Sequence, residues 1–326
     1  MTGTAAVSIA WAGRPADTGL DVVTGTGAFS YSGAAIARAV HDAGRRVRTI
    51  TAHPGRGPED TAIEVRPLDF DDQLGLVESL SGATTLYNTY WVRFAHGTID
   101  HEVAVSNSRA LFHAARRAGV QRIVHVSITH PSISSPLSYF RGKALVERAL
   151  AESDLSYAIL RPAVLFGGDG VLLNNIAWLL RRLPVFAIGG RGDYRIRGIH
   201  VDDLAQLCVA RGAESHNSVA DAVGPERPTF AELVSSIRHA VGGRARLIHV
   251  PGATVPLLSR ALGLVLHDVL LTADEYRAMA SGLADTDGPA TGSTALSTWL
   301  AQHGDTLGLR YANELDRHFE TPIAMS

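Results

Sequence analysis

The sequence predicts an α/β protein with a doubly wound parallel sheet and a smaller C-terminal lobe. Short β-prone runs alternate with amphipathic helical patterns from residue 21 onward, a spacing typical of parallel strands joined by helices. The first such run leads through a glycine-rich turn directly into a helix. The 326 residues, 46% of them hydrophobic, suffice for a large domain and a second lobe.

Composition and charge exclude several classes of function. The net charge is −2 without any basic or acidic block, so neither nucleic acid nor an anionic membrane is predicted as a partner. No apolar run is long enough to span a bilayer. The single cysteine, Cys208, and the scattered histidines predict neither an internal disulfide nor a metal site. We therefore expect a soluble, cytoplasmic protein.

The first strand and helix frame a glycine turn. Residues 21–24 are β-prone, and residues 34–44 have an apolar helical pattern closed by glycine. Between them the sequence reads Gly27-x-x-Ser30-x-x-Gly33, with serine at the usual middle glycine. Glycines let the backbone approach a pyrophosphate, and the helix N-terminus supplies N–H groups and a positive dipole end. The residues assigned here to dinucleotide binding are Gly27, Phe29, Ser30, Tyr31 and Gly33.

The end of the second strand indicates which dinucleotide is bound. An enzyme that uses NAD usually carries an acid at this point, which bonds the ribose hydroxyls. Residues 46–51 are instead followed by Ala52 and His53, with Arg56 slightly further on. The missing acid favours NADP(H) over NAD(H), with His53 and Arg56 as candidate partners of the 2′-phosphate. A simply solvated Arg56 is the alternative.

The next three strands bring further polar residues to the same edge of the sheet. Asp69 follows a third strand over residues 61–67, where it either bonds an adenine amino group or caps the next helix. A fourth strand over 84–88 opens into an aromatic loop. A helix over 101–119 leads to a fifth strand that ends at Ser127. Ligands of open α/β sheets bind at the carboxyl ends of strands.

A tyrosine and a lysine follow the fifth strand at helical spacing. Tyr139 and Lys143 are four residues apart, which places both side chains on one face of a helix. Lys143 is the only lysine among the 30 basic residues of the chain. An ammonium group beside a phenol lowers the phenol's pKa, so this pair is the predicted proton-transfer element.

The remaining segments predict a second lobe. Residues 155–166 read as a sixth strand that ends near Pro162, since proline is disfavoured in a central strand. The apolar residues 251–266 are interpreted as a lid, a pocket wall or a subunit contact, the last of which would give a homodimer. Closing helices are predicted over 296–303 and 311–319. The expected divisions are a flexible segment over 1–20, a dinucleotide-binding domain over 21–165 completed by later segments, and a mainly substrate-binding lobe over 166–326.

A series of motifs supports a family resemblance. They are residues 26–33, Asn107, residues 124–127, Tyr139 with Lys143, residues 160–167 and residues 200–205. Because these motifs occur together and in this order, the chain resembles the short-chain dehydrogenase/reductase superfamily over nearly its whole length after residue 20. It is most similar to the extended and atypical branch, which includes NAD(P)-dependent epimerase/dehydratase-like, NmrA-like and complex I 39-kDa-subunit-like proteins.

The resemblance implies a Rossmann-type fold and a set of roles. Tyr139 would be the proton donor or acceptor, and Lys143 would bond the nicotinamide ribose and lower the tyrosine pKa. Ser127 or Thr129 would hold the substrate oxygen, and Asn107 would support the site. The family's arginine near the second strand corresponds to Ala52 here.

Three functions are compatible with these features. The leading hypothesis is an NADP(H)-dependent oxidoreductase that acts on a carbonyl or hydroxyl of a small, fairly hydrophobic molecule. A non-catalytic NADP(H)-binding regulator or structural subunit is the second, because Ser30 alters the glycine motif and some members of the branch have lost turnover. A sugar-nucleotide epimerase or dehydratase is the third, suggested by Asn174 in the second lobe.

Overall fold

Strands and helices alternate along the first half of the chain, as the sequence predicts. A computed structural model describes residues 19–25, 27–53, 63–93, 100–168 and 170–313. The chain divides into two compact units. The first unit combines the chain up to residue 161 with residues 204–220, and the second combines residues 162–203 with the chain from residue 221 to residue 321.

The strands and helices have the following bounds. The strands are β1 (Leu20–Gly25), β2 (Arg46–Thr51), β3 (Glu64–Pro67), β4 (Ala83–Asn88), β5 (Arg122–Val126), β6 (Ser156–Pro162), β7 (Val164–Phe166), β8 (Val185–Gly189), β9 (Gly198–His200), β10 (Ser218–Ala222) and β11 (Arg246–Val250). The helices are α1 (Tyr31–Asp42), α2 (Gln73–Leu80), α3 (His101–Arg117), α4 (Ser138–Ala151), α5 (Val171–Arg182), α6 (Val201–Gly212), α7 (Phe230–Ala240), α8 (Val255–Leu266), α9 (Ala273–Ala280) and α10 (Leu296–His303).

The central sheet has seven strands in the order β10-β6-β5-β4-β1-β2-β3. The strands from β6 to β3 pair in parallel. The strand order reverses between β1 and β4, so this is the switch point at which the connections leave in opposite directions. The predicted fold class, a doubly wound Rossmann-type sheet, is confirmed. The carboxyl ends of β1, β4 and β5 are adjacent at this point, which is where the candidate site lies.

The core of the first unit fixes these strand ends. Val22, Leu86 and Ile123 come from the adjacent strands β1, β4 and β5, and each is fully buried. They pack in one cluster with Leu111 and Phe112 of α3. Burial on both faces is characteristic of a parallel sheet covered by helices. A slip of one residue in any of these strands would turn its apolar set away from the core, so the register of the site is set by packing.

The second unit has its own core and two small sheets. Strands β8 and β11 pair in parallel, and so do β7 and β9. Phe166, Leu180 and Ile237 pack in one buried cluster with Trp299. Asn174 donates to the carbonyl of Arg310 at 2.9 Å, which is a structural hydrogen bond within this unit.

Two sequence predictions for later elements need correction. The run 155–166 forms two strands, β6 and β7, because the chain leaves the central sheet at Pro162, where the sequence placed the end of the strand. Residues 311–313 are not helical, and the remainder of the helix predicted over 311–319 lies outside the described residues.

Candidate functional site

The turn after β1 is shaped by glycines. Gly25 and Gly27 have φ values of +108° and +76°, a region that other residues rarely adopt. A Cβ on Gly27 would collide with Oγ1 of Thr49, and a Cβ on Gly33 would collide with the Gly27 carbonyl oxygen. The bare backbone of the turn therefore leads into the N-terminus of α1 at the carboxyl edge of the sheet, an arrangement suited to a phosphate group.

Ser30 caps α1 and completes this turn. Its Oγ accepts the N–H of Gly33 at 3.2 Å and donates its proton to the carbonyl of Gly27 at 2.8 Å. The single hydroxyl proton is thus used within the turn, and the serine at the middle glycine position fixes the shape of the backbone. Phe29 and Tyr31 lie on either side of Ser30 and are partly exposed. The five predicted turn residues therefore form one continuous structure.

The end of β2 is the candidate recognition point for the ribose. Thr51 is buried, Ala52 is exposed and His53 is partly exposed. The backbone N–H of His53 donates to Oγ1 of Thr51 at 3.1 Å, which fixes the turn. No acid occupies the position directly after β2. Arg56, the second predicted phosphate partner, lies outside the described residues.

Asp69 lies beyond β3 and is exposed. Its Oδ1 accepts the N–H of Asp71 at 2.9 Å, so it closes a local turn. The cap of α2 is Asp72, whose Oδ1 accepts the N–H of Gly75 at 2.9 Å. The cap that was the alternative role for Asp69 therefore belongs to Asp72, and a contact with adenine stays a prediction.

Tyr139 and Lys143 lie one turn apart on α4, as their spacing predicts. Lys143 is only 3% exposed, and its Nζ donates to the carbonyl of Val126 at 2.9 Å. Val126 is the last residue of β5, so this bond ties the Tyr139–Lys143 turn to the strand end that carries Ser127. The Tyr139–Lys143 turn of α4 and the end of β5 are thereby brought together.

Ser127 carries a buried hydroxyl that no described residue satisfies. The side chain is 5% exposed, and its Oγ has no hydrogen-bond partner within the described part of the chain. Its backbone N–H donates to the carbonyl of Leu160 at 2.7 Å, which continues the β5–β6 pairing and fixes the residue. Thr129, the other candidate for holding a substrate oxygen, is 1% exposed. Unsatisfied buried polar groups are uncommon and costly, and they often belong to functional sites.

Two aromatic rings surround the Tyr139 side chain. Trp91 follows β4, and His101 begins α3; their rings are stacked with centroids 5.7 Å apart. The Tyr139 ring meets both edge-on, at 5.7 Å from Trp91 and 5.5 Å from His101. Nδ1 of His101 is 2.9 Å from Oγ of Ser138, the residue before Tyr139. The sequence indicates an aromatic loop after the fourth strand, but no local pattern connects His101 with the tyrosine.

The charge of Lys143 is strongly affected by its surroundings. Burial lowers the pKa of Lys143 to about 7, and the carboxylate of Glu147 partly offsets this effect. Glu147 is itself held by Arg161 in a bidentate pair, with Nε 3.0 Å from Oε1. The Lys143 side chain can therefore gain or lose a proton near neutral pH, which the sequence alone did not indicate.

His125 is a buried neighbour of Lys143 that no sequence pattern singles out. Oδ1 of Asn88 accepts the N–H of Tyr90 at 3.0 Å, so the amide Nδ2 is the group that faces Nδ1 of His125 at 3.0 Å. Nδ1 must then accept, and the proton of a neutral ring is on Nε2. Burial, and then the charge of Lys143, hold the pKa of His125 well below its usual value. A neutral imidazole avoids a second buried cation beside Lys143.

Asn107 supports the site from α3. Its Nδ2 donates to the hydroxyl of Tyr90 at 2.9 Å. The Tyr90 ring in turn lies against Phe70, with centroids 4.8 Å apart. Asn107 thus holds the loop after β4, in which Trp91 is the next residue.

These residues fit a bound NAD(P)(H). The glycine turn leaves a cradle that side chains would fill, and the N-terminus of α1 supplies the positive dipole end for a pyrophosphate. The Ser127 hydroxyl, which has no partner among the described residues, lies at the carboxyl end of β5, and the Tyr139–Lys143 turn is bonded to the same strand end. In doubly wound sheets such a cofactor is bound at the carboxyl ends of the strands. Among the described residues, no group of His, Cys, Asp and Glu has the arrangement of a metal site.

Comparison with known proteins identifies the same kind of binding domain. Residues 27–176 match the family described as NAD(P)H-binding. The chain is 24% identical over 258 residues to NADH dehydrogenase (ubiquinone) 1 alpha subcomplex subunit 9, mitochondrial, of Arabidopsis thaliana. That match covers 73% of this chain and 62% of the plant protein, so the chain spans less than two thirds of that relative.

Two further proteins extend the comparison. The chain is 27% identical over 238 residues to the ceramide reductase of Caulobacter vibrioides, which covers 71% of this chain and 74% of the relative. The fold of the present chain matches the structure of NADPH-dependent quinone oxidoreductase from Escherichia coli complexed with NADPH, with a TM-score of 0.69 and 21% identity. That superposition covers 86% of this chain and 99% of the quinone oxidoreductase. Residues 27–176 therefore match an NAD(P)H-binding domain, and the similarity to the NADH dehydrogenase subunit and to the reductases supports the resemblance that the sequence motifs indicate.

Proposed function

We propose that this protein is an NADP(H)-dependent reductase that acts on a carbonyl or quinone group of a small, fairly hydrophobic molecule. Tyr139 passes a proton to or from the substrate oxygen, and Ser127 holds that oxygen. Lys143 stands beside Tyr139 as a cation and binds the nicotinamide ribose. When bound, the nicotinamide ring supplies or accepts the hydride.

One observation carries the assignment of roles. The bond from Lys143 Nζ to the Val126 carbonyl places the Tyr139–Lys143 turn against the residue that precedes Ser127. The Ser127 hydroxyl is buried and lacks a partner among the described residues, so it can donate to a substrate oxygen without breaking an existing bond. A proton donor and an oxygen-binding hydroxyl on adjacent elements are the two groups that carbonyl reduction requires of the protein.

The preference for NADP(H) rests on the end of β2. An acid at residue 52 would repel a 2′-phosphate, and Ala52 offers no such charge. His53 follows directly and lies within the same turn. The NADPH-dependent quinone oxidoreductase with the same fold supports this preference.

The substrate class is argued from the walls around Tyr139. Trp91 and His101 present their aromatic rings to the tyrosine. Apolar walls with a few directed polar groups are typical of sites for hydrophobic molecules. The relative known as ceramide reductase is consistent with such a substrate.

Net consumption of NADPH tests the proposed activity. The protein is mixed with NADPH and a panel of hydrophobic ketones, aldehydes and quinones, and the absorbance of NADPH is followed while products are identified by mass spectrometry. We expect stoichiometric oxidation of NADPH with at least one class of compound. Conversion of a sugar nucleotide without net loss of NADPH would indicate an epimerase or dehydratase and would contradict the reductase.

A non-catalytic NADP(H)-binding subunit is the second candidate. The similarity to the plant NADH dehydrogenase subunit favours it. Tight binding of NADPH in calorimetry, combined with no oxidation across the whole panel, is the result that would support this function instead.

A further inference from the structure

Trp91 has a place in the structure that the proposed reaction does not yet use. It packs against α4 at Gly142, where a Cβ would come within 2.7 Å of its Cη2 atom. Because glycine has no side chain, residue 142 leaves a space on α4 that the indole ring occupies; we call this space the Trp91 seat. Because residue 142 precedes Lys143, the ring that occupies this seat lies directly beside the lysine.

The indole ring contacts both members of the Tyr139–Lys143 pair. Nζ of Lys143 lies 4.7 Å from the ring centroid, within the range of a cation–π interaction. The Tyr139 ring meets it edge-on at 5.7 Å. One side chain thus shields the lysine from water and limits the positions of the phenol.

The charged and titratable groups around Lys143 and the Trp91 ring come from four elements, α4, β6, β5 and α3. Glu147, on α4 itself, favours the ammonium form of Lys143, but its carboxylate also forms an ion pair with Arg161. His125 on β5 is held neutral by burial and by Lys143. Burial also lowers the pKa of His101 on α3. Apart from the Val126 carbonyl and the engaged Glu147, the indole face is the contact in the described structure that favours a positive charge.

We propose that Trp91 is a positioning residue of the reductase site: it holds Lys143 against Val126 and stabilises the charged form of the lysine through its π face. The proposal rests on the proposed function, in which Lys143 acts as a cation beside Tyr139. Trp91 then sets the pH range over which the Tyr139–Lys143 pair can transfer a proton.

The two effects of Trp91 can be separated by substitution. Trp91→Leu removes the π face but keeps an apolar cover, so the ammonium form loses support and its pKa falls. Trp91→Ala removes both the π face and the cover, so water reaches Nζ and its pKa rises toward that of an ordinary lysine. A residue that only fills space would not shift the lysine in opposite directions in these two variants.

The single lysine of the chain allows a direct measurement. Protein grown with lysine labelled with ¹³C at the ε position gives one side-chain NMR signal, which belongs to Lys143, and its pH titration reports the protonation of Nζ. In the unmodified protein we expect the lowered titration midpoint of a buried lysine. We expect it roughly one pH unit lower in Trp91→Leu and higher in Trp91→Ala.

Trp178→Leu is the matched control. Trp178 carries a cation–π contact with Arg182 at the same 4.7 Å distance, but it belongs to the second unit. Its replacement should leave the Lys143 titration unchanged. Equal midpoints in all proteins, or shifts of one sign in both Trp91 variants, would overturn the proposal.

A second readout links the titration to the reaction. The pH dependence of kcat with an active panel compound should move with the NMR midpoint in each Trp91 variant. An unmoved pH profile beside a shifted midpoint would refute the positioning role. If no compound is turned over, the proposed function fails while the NMR titration still tests the contact between Trp91 and Lys143.

Discussion

Lys143 is subject to opposing effects on the charge of its ammonium group. Burial opposes its charge, whereas Val126, Trp91 and Glu147 favour it. A group so placed is expected to destabilise the fold in exchange for a function, because an apolar side chain of similar length would avoid the desolvation. This expectation gives a signed dependence of stability on pH.

Replacement of Lys143 by Met should stabilise the protein most at and below neutral pH. The folded-state pKa of about 7 is lower than the unfolded value, so the unfolded chain binds one more proton between about pH 7 and about pH 10. In that window the free energy of unfolding of the unmodified protein rises by about 1.4 kcal/mol per pH unit relative to the variant. The advantage of Lys143→Met therefore shrinks as pH increases.

Urea denaturation between pH 6 and about pH 9 measures this difference. Arg148→Met is the control, because Arg148 is an exposed cation on the same helix, with 51% of its side chain accessible. An advantage of Lys143→Met that is constant across the range would show that the lysine is protonated equally in both states.

The sequence predicts some residues of the site better than others. The Tyr139–Lys143 spacing and the strand end at Ser127 depend on local periodicity, which a single sequence displays. The contacts of Trp91 and His101 with Tyr139 join residues that are between 38 and 48 positions apart, and packing alone brings them together. Gly142 is the one local signal of the Trp91 seat, but a glycine inside a helix has several explanations.

At the scale of elements, the junction of β1 and α1 determines whether a cofactor can bind. The turn depends on bare backbone at Gly27 and Gly33 and on the cap formed by Ser30. Ser30, which replaces the usual middle glycine, therefore stabilises the conformation of the turn, because its hydroxyl forms hydrogen bonds with Gly27 and Gly33.

Gly33→Ala and Ser30→Ala should separate binding from stability. The added Cβ of Gly33→Ala collides with the Gly27 carbonyl and distorts the turn, so we expect the affinity for NADP⁺ to fall by at least tenfold. Ser30→Ala removes the helix cap and should lower the free energy of unfolding by about 1 kcal/mol while binding changes only a few-fold. Calorimetry and urea denaturation measure the two quantities. Normal affinity in Gly33→Ala would place the cofactor elsewhere.

Several element boundaries in the first unit could be predicted because glycine or proline stands at or beside many of the strand ends. Residues 46–51 were predicted as the second strand and form β2. The strand break at Pro162 is predicted correctly, but no local pattern indicates that residues 164–166 pair with β9, more than thirty residues later. Pairings of this kind depend on tertiary structure and leave no local pattern.

At the scale of the whole molecule, cofactor binding should stabilise the protein and reveal its preference. A ligand that binds only the folded state raises the free energy of unfolding by about 2.7 kcal/mol at about 100 times its dissociation constant. We expect NADP⁺ to raise the melting temperature more than NAD⁺ at equal concentration. None of the helices described is both long and apolar enough to cross a bilayer.

Ala52→Asp should reverse that preference. A carboxylate at the end of β2 repels a 2′-phosphate and accepts hydrogen bonds from ribose hydroxyls, so the shift with NADP⁺ should fall and that with NAD⁺ should rise. Ala52→Asn has nearly the same shape without the charge and is the control. Equal responses of Ala52→Asp and Ala52→Asn would show that residue 52 does not face the ribose.

Tyr139→Phe tests whether Tyr139 transfers the proton. The change removes one hydroxyl and keeps the ring contacts with Trp91 and His101. With the panel compound that the unmodified protein reduces, we predict a fall in kcat of about 10²- to 10⁴-fold with NADPH affinity preserved. Tyr157→Phe, on β6, should retain full activity. Unchanged NADPH oxidation by Tyr139→Phe, at normal affinity for the cofactor, would contradict the account.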